Sequence, residues 1–575
     1  MTAAGWLQIG LLTAIIGLLT HPLGGYLAQV YAGRRTPLQV IFGPVEGTLY
    51  RLAGIDPTAE QSWHAYAISL LLFHAMGIIA LYGLLRLQLM LPANPQHLPA
   101  VSPDLAFNTA VSFVTNTSWQ SYGGETTLSY ASQMVGITAQ SFLSAASGMA
   151  VAIALIRGFA RPRSPTIGNF WVDLTRGTLY VLLPVCFVAA LLLLAQGVPQ
   201  TLAPSAEVTT LEGHPQLIAR GPVASQEAIK VLSGDGGGFF NANSAHPFEN
   251  PTPLTNLVEA VLIFALGAAL TNCFGRMVGS QRQGWVLLSV MAILFAAGVT
   301  GIYATEAGGN PWLASVSVDQ SAGSLQPGGN MEGKEVRFGI AGSALFAEVA
   351  TASSDGAVNS MHDSFMPLSG GILLANMMVD EVIVGAPGSG LYGMLLFVLV
   401  AVFLAGLMIG RTPEYVGKKV GSAEIKMSII ALISVPAATL GLTAIACVID
   451  PGLAGLGNAG PRGFSEILYA YTSAAATNGS AFAGLSTNSP FYNLTLALAM
   501  FVGRFAVIVP VLAVAGSLAA QRVVPQSRGS LPTDGALFVG FLLGVIVIVG
   551  GLTYLPALAL GPMVEHLVLL QGSSF

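Results

Sequence analysis

The run Ser233-Gly234-Asp235-Gly236-Gly237-Gly238 decides the fold, because polar turns like it recur at even spacing between long apolar segments. Gly356-Ala357-Val358-Asn359 begins 120 residues after Gly236, and Asn478-Gly479-Ser480 follows with its glycine 123 residues after Gly356. A further polar turn, Thr115-Asn116-Thr117-Ser118, lies about the same distance before the first. Irregular backbone at membrane depth is tolerated only where protein or water surrounds it, and four turns on one axis would meet that condition together. The spacing therefore predicts a pore with pseudo-four-fold symmetry.

The composition is that of a membrane protein. Of the 575 residues, 53% are hydrophobic and 9% are charged, whereas about 25% of the residues of a soluble chain are charged. The net charge of −5 gives no reason to expect nucleic-acid binding. Cys186, Cys273 and Cys447 lie in apolar runs without metal-ligand spacing, and we expect them to be small buried hydrophobes.

Ten apolar segments have the length of about 20 residues that a membrane span needs. They cover residues 6–30, 65–88, 131–156, 172–196, 254–275, 284–304, 388–410, 427–449, 491–518 and 535–558. Most of the Lys and Arg residues fall in alternate loops if the N-terminus is outside, which is the orientation that the positive-inside rule favours. This orientation places both termini and all four polar turns on the outer side.

Residues 371–410 form a segment that is too long for one span. A straight helix of this length would measure roughly 60 Å, against about 30 Å of hydrocarbon. Its middle, from Gly385 to Gly390, contains Gly, Pro and Ser residues and follows the carboxylates Asp380 and Glu381 after three apolar residues. The pattern favours a broken helix inside the membrane. An ordinary outer loop between two helices is the alternative.

The polar turns suit cation binding by backbone carbonyl groups. A cation that leaves water needs oxygen ligands in place of its hydration shell, and glycine permits the dihedral angles that turn carbonyl groups toward it. A short helix-like run precedes each turn and would direct the partial negative charge of its C-terminus at the ion. Glycine is common in membrane helices, so one such turn would mean little. A phosphate-binding loop is disfavoured, since Gly234–Gly238 lacks the Lys-Ser/Thr pair of a P-loop.

Several runs closely resemble the potassium-binding A subunit of the bacterial Kdp potassium-transporting ATPase, the KdpA family, and the resemblance extends over essentially the whole chain. These runs are Gly236–Ser244, His246–Pro251, Gly356–Asn359, Met361–Ser364, Gly390–Met394, Gly410–Tyr415 and Gly479–Gly484. The resemblance implies an all-α polytopic membrane protein related to the Trk/Ktr/HKT transporters, with ten transmembrane helices and four membrane–pore–membrane repeats. It also implies a bacterial inner-membrane protein that binds periplasmic K⁺ and works with a P-type ATPase B subunit, a C subunit and a small F peptide. The resemblance further implies that the chain hydrolyses no ATP itself, so we expect no catalytic site and no cofactor besides the transported K⁺, in agreement with the absence of a DKTG phosphorylation motif or P-loop from the sequence.

The resemblance also assigns a potassium filter and a gate. The filter residues would be Thr115, Asn116, Thr117, Ser118, Gly234, Asp235, Gly236, Ser354, Asp355, Gly356, Thr477, Asn478 and Gly479, with Gln120 adjacent. Asp235 and Asp355 depart from the family pattern. Their side chains either raise the local cation concentration or, as we expect, turn back toward the pore helices.

The gate would comprise Glu381, Gly385, Gly388 and Arg504. Glu381 and Arg504 are intramembrane charges, and we expect them to pair below the filter. The alternative for Arg504 is a side chain that extends to the inner membrane interface. His362-Asp363 suggests a catalytic or metal pair, but we expect packing and hydrogen bonding there instead.

The repeats divide the chain into segments with the first and last spans added. We expect the first helix and loop at 1–62, repeats at 63–160, 170–276, 284–415 and 427–518, and the last helix and tail at 530–575. The basic loop Arg411–Lys419 is typical of a cytoplasmic topology anchor and is also a candidate contact with the ATPase subunit. Competing functions are a free-standing potassium channel or ion-coupled transporter of the Trk type, and a membrane enzyme.

Overall fold

Ten helical segments among the described residues are long and apolar enough to cross a membrane, as predicted. The computed structural model describes residues 1–324, 326–379, 382–524 and 531–572. The spanning segments are Ala3–Tyr31, Trp63–Met90, Ser132–Ala160, Phe170–Ala195, Pro253–Met277, Gln281–Ser315, Ser389–Met408, Ser422–Ala446, Pro490–Ala520 and Ala536–Leu570.

The secondary structure is mostly helical. The α-helices are α1 Ala3–Tyr31, α2 Gln39–Ala53, α3 Trp63–Leu87, α4 Pro103–Val114, α5 Gly124–Thr127, α6 Ala139–Ala160, α7 Phe170–Arg176, α8 Leu183–Ala195, α9 Val223–Leu232, α10 Pro253–Met277, α11 Gln281–Ala307, α12 Pro311–Ser315, α13 Gly339–Thr351, α14 Pro367–Met378, α15 Ser389–Ile409, α16 Ser422–Ala446, α17 Asp450–Leu453, α18 Gly460–Ala476, α19 Pro490–Ala520, α20 Ala536–Leu558 and α21 Val564–Leu570. Short π-helical segments at Ser132–Thr138, Gly177–Leu182 and Ala559–Met563 precede α6, α8 and α21.

Two short hairpins add strands that the sequence analysis does not predict. The first hairpin pairs β1 Ala206–Thr209 with β2 Pro215–Ile218, in a register that places Ala206 opposite Ile218. The second hairpin pairs β3 Glu414–Tyr415 with β4 Lys418–Lys419 and follows α15 directly.

Four of the spans form the centre of the bundle. The buried share of the most apolar window is 89% for the span that contains α6, 83% for α10, 72% for α15 and 61% for α19, against 22–44% for the other six described spans. The α6 helix packs against α10, α15 and α19. Each central helix comes after a polar turn in the chain, so the turns lie at one end of the buried helices. We call this end outer and the opposite end inner, following the orientation that the positive-inside rule predicts.

A short helix precedes each polar turn. These helices, α4, α9, α13 and α18, have 10–17 residues and are too short to span the membrane. Proline at the first turn of α4 and of α18 starts the helix without loss of a hydrogen bond, since the first N–H groups of a helix have no partner within it. We refer to these four elements as the pore helices.

The predicted break in the long apolar segment is present. The α14 helix ends at Met378 and α15 begins at Ser389, after residues 382–388 in irregular conformation. Gly385 and Gly388 both have positive φ, at 68° and 115°, which favours glycine over other residues. The chain therefore passes through a non-helical loop before the seventh span.

A buried ion pair ties together the inner ends of several spans. The two terminal nitrogens of Arg157, near the end of α6, contact the carboxylate oxygens of Asp173 in α7 at 2.5 and 2.8 Å. The hydroxyl of Tyr66 in α3 donates to the same carboxylate at 3.0 Å. A bidentate pair with a further hydrogen bond has the geometry that offsets the cost of burying two charges.

Candidate functional site: four polar turns around one axis

The four pore helices end in the same backbone conformation. One to three positions after each helix, a residue has a left-handed conformation, with φ of 63° at Asn116, 54° at Gly234, 60° at Ser354 and 61° at Thr477. The next amide in each turn bonds back to a carbonyl five residues earlier. These bonds are Thr117 to Ser112 at 2.9 Å, Asp235 to Lys230 at 3.2 Å, Asp355 to Ala350 at 3.2 Å, and Asn478 to Ser473 at 2.9 Å. This is the Schellman cap of a helix C-terminus, repeated at 116, 234, 354 and 477.

At two of the four left-handed positions, Ser354 and Thr477, the residue is not of a type that adopts this conformation readily. Glycine does so without steric cost and asparagine with little, but Ser354 and Thr477 carry a Cβ and, in threonine, a branched one. A non-glycine residue in this region costs of order 1–3 kcal/mol and persists only when its surroundings fix it. The packing around the third and fourth turns therefore holds the backbone in place.

Contacts between successive turns close a ring. The Nδ2 of Asn116 donates to the Gly234 carbonyl at 2.7 Å, which links the first turn to the second. The Gly356 amide donates to the Asp235 carbonyl at 2.7 Å, which links the second to the third. The Nδ2 of Asn478 donates to the Ala350 carbonyl at 3.1 Å, and so joins the fourth turn to the third pore helix.

Glycine permits the closest approaches within the ring. A Cβ on Gly236 would lie 2.5 Å from the Cα of Gly356, and one on Gly356 would lie 2.8 Å from the Asn478 carbonyl oxygen. A Cβ on Gly479 would overlap the Thr117 carbonyl oxygen, which brings the fourth turn against the first. The four turns are therefore in contact in the order in which they occur along the chain.

Asp235 and Asp355 do not line the outer cavity, and both residues are 0% exposed. The hydroxyl of Ser118, from the first turn, donates to Oδ1 of Asp235. Oδ1 of Asp355 accepts the Ala357 amide at 2.8 Å, within its own segment. Each carboxylate thus accepts a hydrogen bond from a residue of the turns, and neither Ser118 nor Ala357 belongs to a pore helix.

A cavity of about 800 Å³ lies on the outer side of the ring. Every turn contributes to its wall, through residues that include Ser118, Gly237, Gly356 and Gly479. Gln120 also lines it and accepts the Gly238 amide through Oε1 at 2.9 Å. Gln120 therefore fixes the rim where the first turn meets the second.

A buried charge cluster behind the second turn was missed by the sequence analysis. The ammonium of Lys230, in α9, lies 2.7 Å from Glu227 and 2.8 Å from Glu249, and also donates to Asn243 at 2.9 Å. Asn243 donates to the Gly237 carbonyl and accepts the Val358 amide at 3.2 Å. The available signal was a Glu and a Lys three residues apart, which share one helix face.

The loop at residues 382–388 lies against the inner side of the ring. The amides of Val384 and Gly385 both donate to the Ala352 carbonyl at 3.1 Å, at the end of the third pore helix. A Cβ on Gly234 would lie 2.7 Å from the Cβ of Ala386. Gly388 is in close contact with the Gly148 carbonyl of α6. The predicted gate residues Gly385 and Gly388 thus occupy the space between the turns and the central helices.

Arg504 of α19 lies near this loop and is 3% exposed. Its Nη2 donates to the Ser144 carbonyl at 2.9 Å and to the Ser147 hydroxyl at 3.2 Å, both on α6. The side chain is therefore held within the bundle and does not reach the membrane interface. Glu381, its predicted partner, lies outside the described residues.

The His362-Asp363 pair forms hydrogen bonds with the fourth pore helix. His362 Nδ1 lies 2.9 Å from the Tyr469 hydroxyl, and Asp363 accepts from Arg462 at 2.9 Å. Burial, together with the nearby charge of Lys334, lowers the pKa of His362 to about 3. Within the described part of the chain, no group of three or more His, Cys, Asp and Glu side chains is placed to hold a metal ion.

The spans and the ring of turns define a multi-pass membrane protein of the potassium-transporter fold. The structure resembles the crystal structure of the potassium transporter TrkH from Vibrio parahaemolyticus with a TM-score of 0.52, over 88% of this chain and 96% of that one. The two sequences are 14% identical.

The family model of KdpA, the potassium-transporting ATPase A subunit, matches residues 10–567, and the chain belongs to this family. A potassium-transporting ATPase potassium-binding subunit from Methylobacterium nodulans is 62% identical over 100% of this chain and 99% of the relative. A protein of the same name from Mesorhizobium japonicum is 60% identical over the full length of both. The chain is accordingly a transporter subunit rather than a catalytic one.

Proposed function

We propose that this chain is the channel-like, potassium-binding subunit of an ATP-driven importer. It takes K⁺ from the outer side through a filter of backbone carbonyl groups and passes it to a P-type ATPase subunit. The observation that carries this proposal is the repetition of one Schellman cap at Asn116, Gly234, Ser354 and Thr477. Four equivalent turns in mutual contact direct four helix C-termini at one place, where their partial negative charges attract a cation.

The proposed filter consists of the residues assigned by family resemblance. In the first and second turns these are Thr115, Asn116, Thr117, Ser118, Gly234, Asp235 and Gly236, and in the third and fourth Ser354, Asp355, Gly356, Thr477, Asn478 and Gly479. Gln120 supports the rim. Potassium is the transported ion, and the filter carbonyls replace its hydration shell.

Four repeats build this filter. The proposed boundaries are 63–160, 170–276, 284–415 and 427–518, with additional segments at 1–62 and 530–575. Their support is that each interval contains one pore helix, followed by one polar turn and one of the central helices.

The proposed gate is the loop after α14 with Gly385 and Gly388, together with Glu381 and Arg504. The loop contacts the inner side of the turns, and Arg504 is held beside it by α6. Pairing of Arg504 with Glu381 would place opposite charges below the filter. A charge-swapped pair that transports no better than either single variant would contradict this part of the proposal.

The partners are the P-type ATPase B subunit, a C subunit and a small F peptide, in the bacterial cytoplasmic membrane. The relatives are named as the potassium-binding subunit of a potassium-transporting ATPase, which supports a complex of several chains. The distribution of Lys and Arg supports periplasmic N- and C-termini.

A free-standing potassium channel or ion-coupled transporter is the second candidate, and the likeness in fold to TrkH favours it. The two differ in whether uptake requires ATP hydrolysis by a partner. A neighbouring reading frame that encodes a P-type ATPase with a DKTG motif would support the first candidate.

The decisive experiment is ATPase measurement on the chain purified with its partners. We expect micromolar K⁺ to stimulate hydrolysis, and Gly356→Asp to abolish or greatly weaken that stimulation, since a side chain there would collide with the fourth turn. Stimulation that Gly356→Asp leaves unchanged would overturn the filter assignment. Uptake of K⁺ by the chain alone, without a partner ATPase, would favour the second candidate.

A further inference from the structure

The inner hairpin, residues 413–420, carries a large aromatic side chain into the bundle. Tyr415 is 0% exposed although it lies in a loop between two spans. Its ring centre is 5.5 Å from that of Phe159 in α6 and 6.3 Å from that of Phe274 in α10. Phe159 and Phe274 are themselves 5.9 Å apart, so the three rings form one cluster at the inner ends of two central helices.

Lys418, on the second strand of the hairpin, binds the ends of two further elements. Its ammonium donates to the carbonyls of Arg161 at 2.6 Å, Leu518 at 2.8 Å and Gln521 at 3.0 Å. These carbonyls terminate α6 and α19, where a cation is favoured by the partial negative charge of a helix C-terminus. No carboxylate of the described residues forms an ion pair with it.

The third central helix, α15, continues directly into the hairpin. The α15 helix stops at Gly410, which has a φ of 70°, and Pro413 packs back on Gly406 within that helix. The hairpin thus contacts the inner ends of α6, α10, α15 and α19. The hairpin therefore joins all four central helices at one end of the bundle.

We propose that the inner hairpin is a second seal on the inner side of the protein, in series with the loop at residues 382–388. Tyr415 closes the opening together with Phe159 and Phe274, and Lys418 latches the hairpin to α6 and α19. This inference rests on the proposed ion path through the four turns. A dry aromatic constriction offers no ligands to a cation, and a buried ammonium adds electrostatic repulsion. Potassium that enters the filter is thereby kept from crossing directly to the inner side.

The test uses the whole complex in potassium-loaded liposomes and measures ⁸⁶Rb⁺ exchange without ATP. The variants are a loosened loop (Ile383→Ser with Val384→Ser), Tyr415→Ala, and the combination of both. Either lesion alone leaves one seal closed, so we expect little exchange from either. The combination should exchange at least about tenfold faster, which corresponds to roughly 1.4 kcal/mol of barrier.

Tyr415→Phe is the matched control, because the Tyr415 hydroxyl makes no hydrogen bond with the described residues. Tyr415→Phe keeps the aromatic ring. We therefore expect the complex that combines the loosened loop with Tyr415→Phe to exchange ⁸⁶Rb⁺ no faster than the complex with the loosened loop alone. The proposal of a second seal would be overturned if the loosened loop combined with Tyr415→Ala exchanged ⁸⁶Rb⁺ at the same rate as the loosened loop alone. Equal ⁸⁶Rb⁺ exchange rates for Tyr415→Phe and Tyr415→Ala, each combined with the loosened loop, would also contradict a role of the aromatic ring in the seal.

Lys418→Met provides an independent lesion if Tyr415→Ala does not assemble. With the loosened loop, it should also raise exchange, since the hairpin loses its bonds to α6 and α19. An unchanged ⁸⁶Rb⁺ exchange rate would contradict the proposal that Lys418 holds the hairpin against α6 and α19. Potassium-stimulated ATPase activity of the native complex, measured in the same preparation, tests the proposed function separately. That activity can persist when the seal proposal fails, so the two failures are distinguishable.

Discussion

The amide nitrogen of Gly356 lies 2.7 Å from the carbonyl oxygen of Asp235, and this hydrogen bond joins two turns that are 120 residues apart in the chain. The bond fixes the orientation of one carbonyl in the ring, because Asp235 cannot rotate that group without losing its partner. The same two turns are also in close contact at Gly236, where an added Cβ would lie 2.5 Å from the Cα of Gly356. The second and third turns are therefore joined at two adjacent positions.

Replacement of Gly236 by alanine should weaken potassium binding. The added Cβ would lie 2.5 Å from the Cα of Gly356, and backbone cannot yield as a flexible side chain can. Overpacking typically costs about 1–3 kcal/mol, so the K⁺ concentration for half-maximal ATPase stimulation should rise by about tenfold or more. Gly540→Ala, at a position with open space around its Cα, is the control. An unchanged half-maximal concentration for Gly236→Ala would contradict the tight contact.

Gln120→Ala should reduce potassium affinity more mildly. It removes the acceptor of the Gly238 amide and leaves the rim between the first and second turns without that bond. A hydrogen bond contributes about 0.5–1.5 kcal/mol net, which predicts a roughly two- to tenfold rise in the half-maximal K⁺ concentration. Gln120→Glu retains an acceptor oxygen and should bind more nearly as the native chain does. Equally weak K⁺ binding by both variants would exclude the hydrogen bond to Gly238 as the cause of the lower affinity.

Arg157→Met should destabilise the inner face of the bundle. It leaves the Asp173 carboxylate buried without its cation, and loss of one member of a buried pair costs about 3–5 kcal/mol. The measurement is thermal unfolding of the purified complex in detergent. Arg161→Met is the comparison, because its partner Glu60 is 43% exposed and such pairs contribute only about 0–1 kcal/mol. Equal melting temperatures for the two variants would refute the structural importance of the buried pair.

Acid should weaken the fold partly through His362. Its pKa of about 3 in the folded protein is below the ordinary value of 6.5, so the unfolded chain binds an extra proton between these pH values. The free energy of unfolding should therefore fall by about 1.4 kcal/mol per pH unit as the pH drops below about 6.5. His362→Gln should flatten that slope between pH 6 and pH 4 in denaturant titrations of the complex, within the window from 6.5 to about 3. His97→Gln, which removes an exposed histidine, controls for the loss of a histidine as such, and equal slopes for both variants would exclude His362 as the cause.

The features that sequence predicts well are those encoded by local composition. Span lengths follow from apolar runs, and the break before Ser389 follows from Gly and Pro residues that disfavour helix. The polar turns follow from their spacing. Their common cap was not predictable, since it is made by backbone groups and is adopted by Asn116 and Thr477 as well as by glycine.

Long-range partners set the remaining features. The side chain of Asp235 turns toward Ser118, which comes from another turn 117 residues away. The pairing of Lys230 with Glu249 joins a pore helix to an outer loop. Lys418 was read as a topology anchor among basic loop residues, but three carbonyls from two distant segments surround it. No periodicity in one stretch of chain reports contacts of this kind.

The Schellman caps have a genetic consequence. In a pore assembled from four copies of one polypeptide, a single codon change alters every corner of the ring at once. Here the corners at Asn116, Gly234, Ser354 and Thr477 are encoded separately, and their common shape depends on main-chain bonds that different residues can form. One corner can therefore change while three remain as they are, and in this chain carboxylates are present in the second and third turns and absent from the other two.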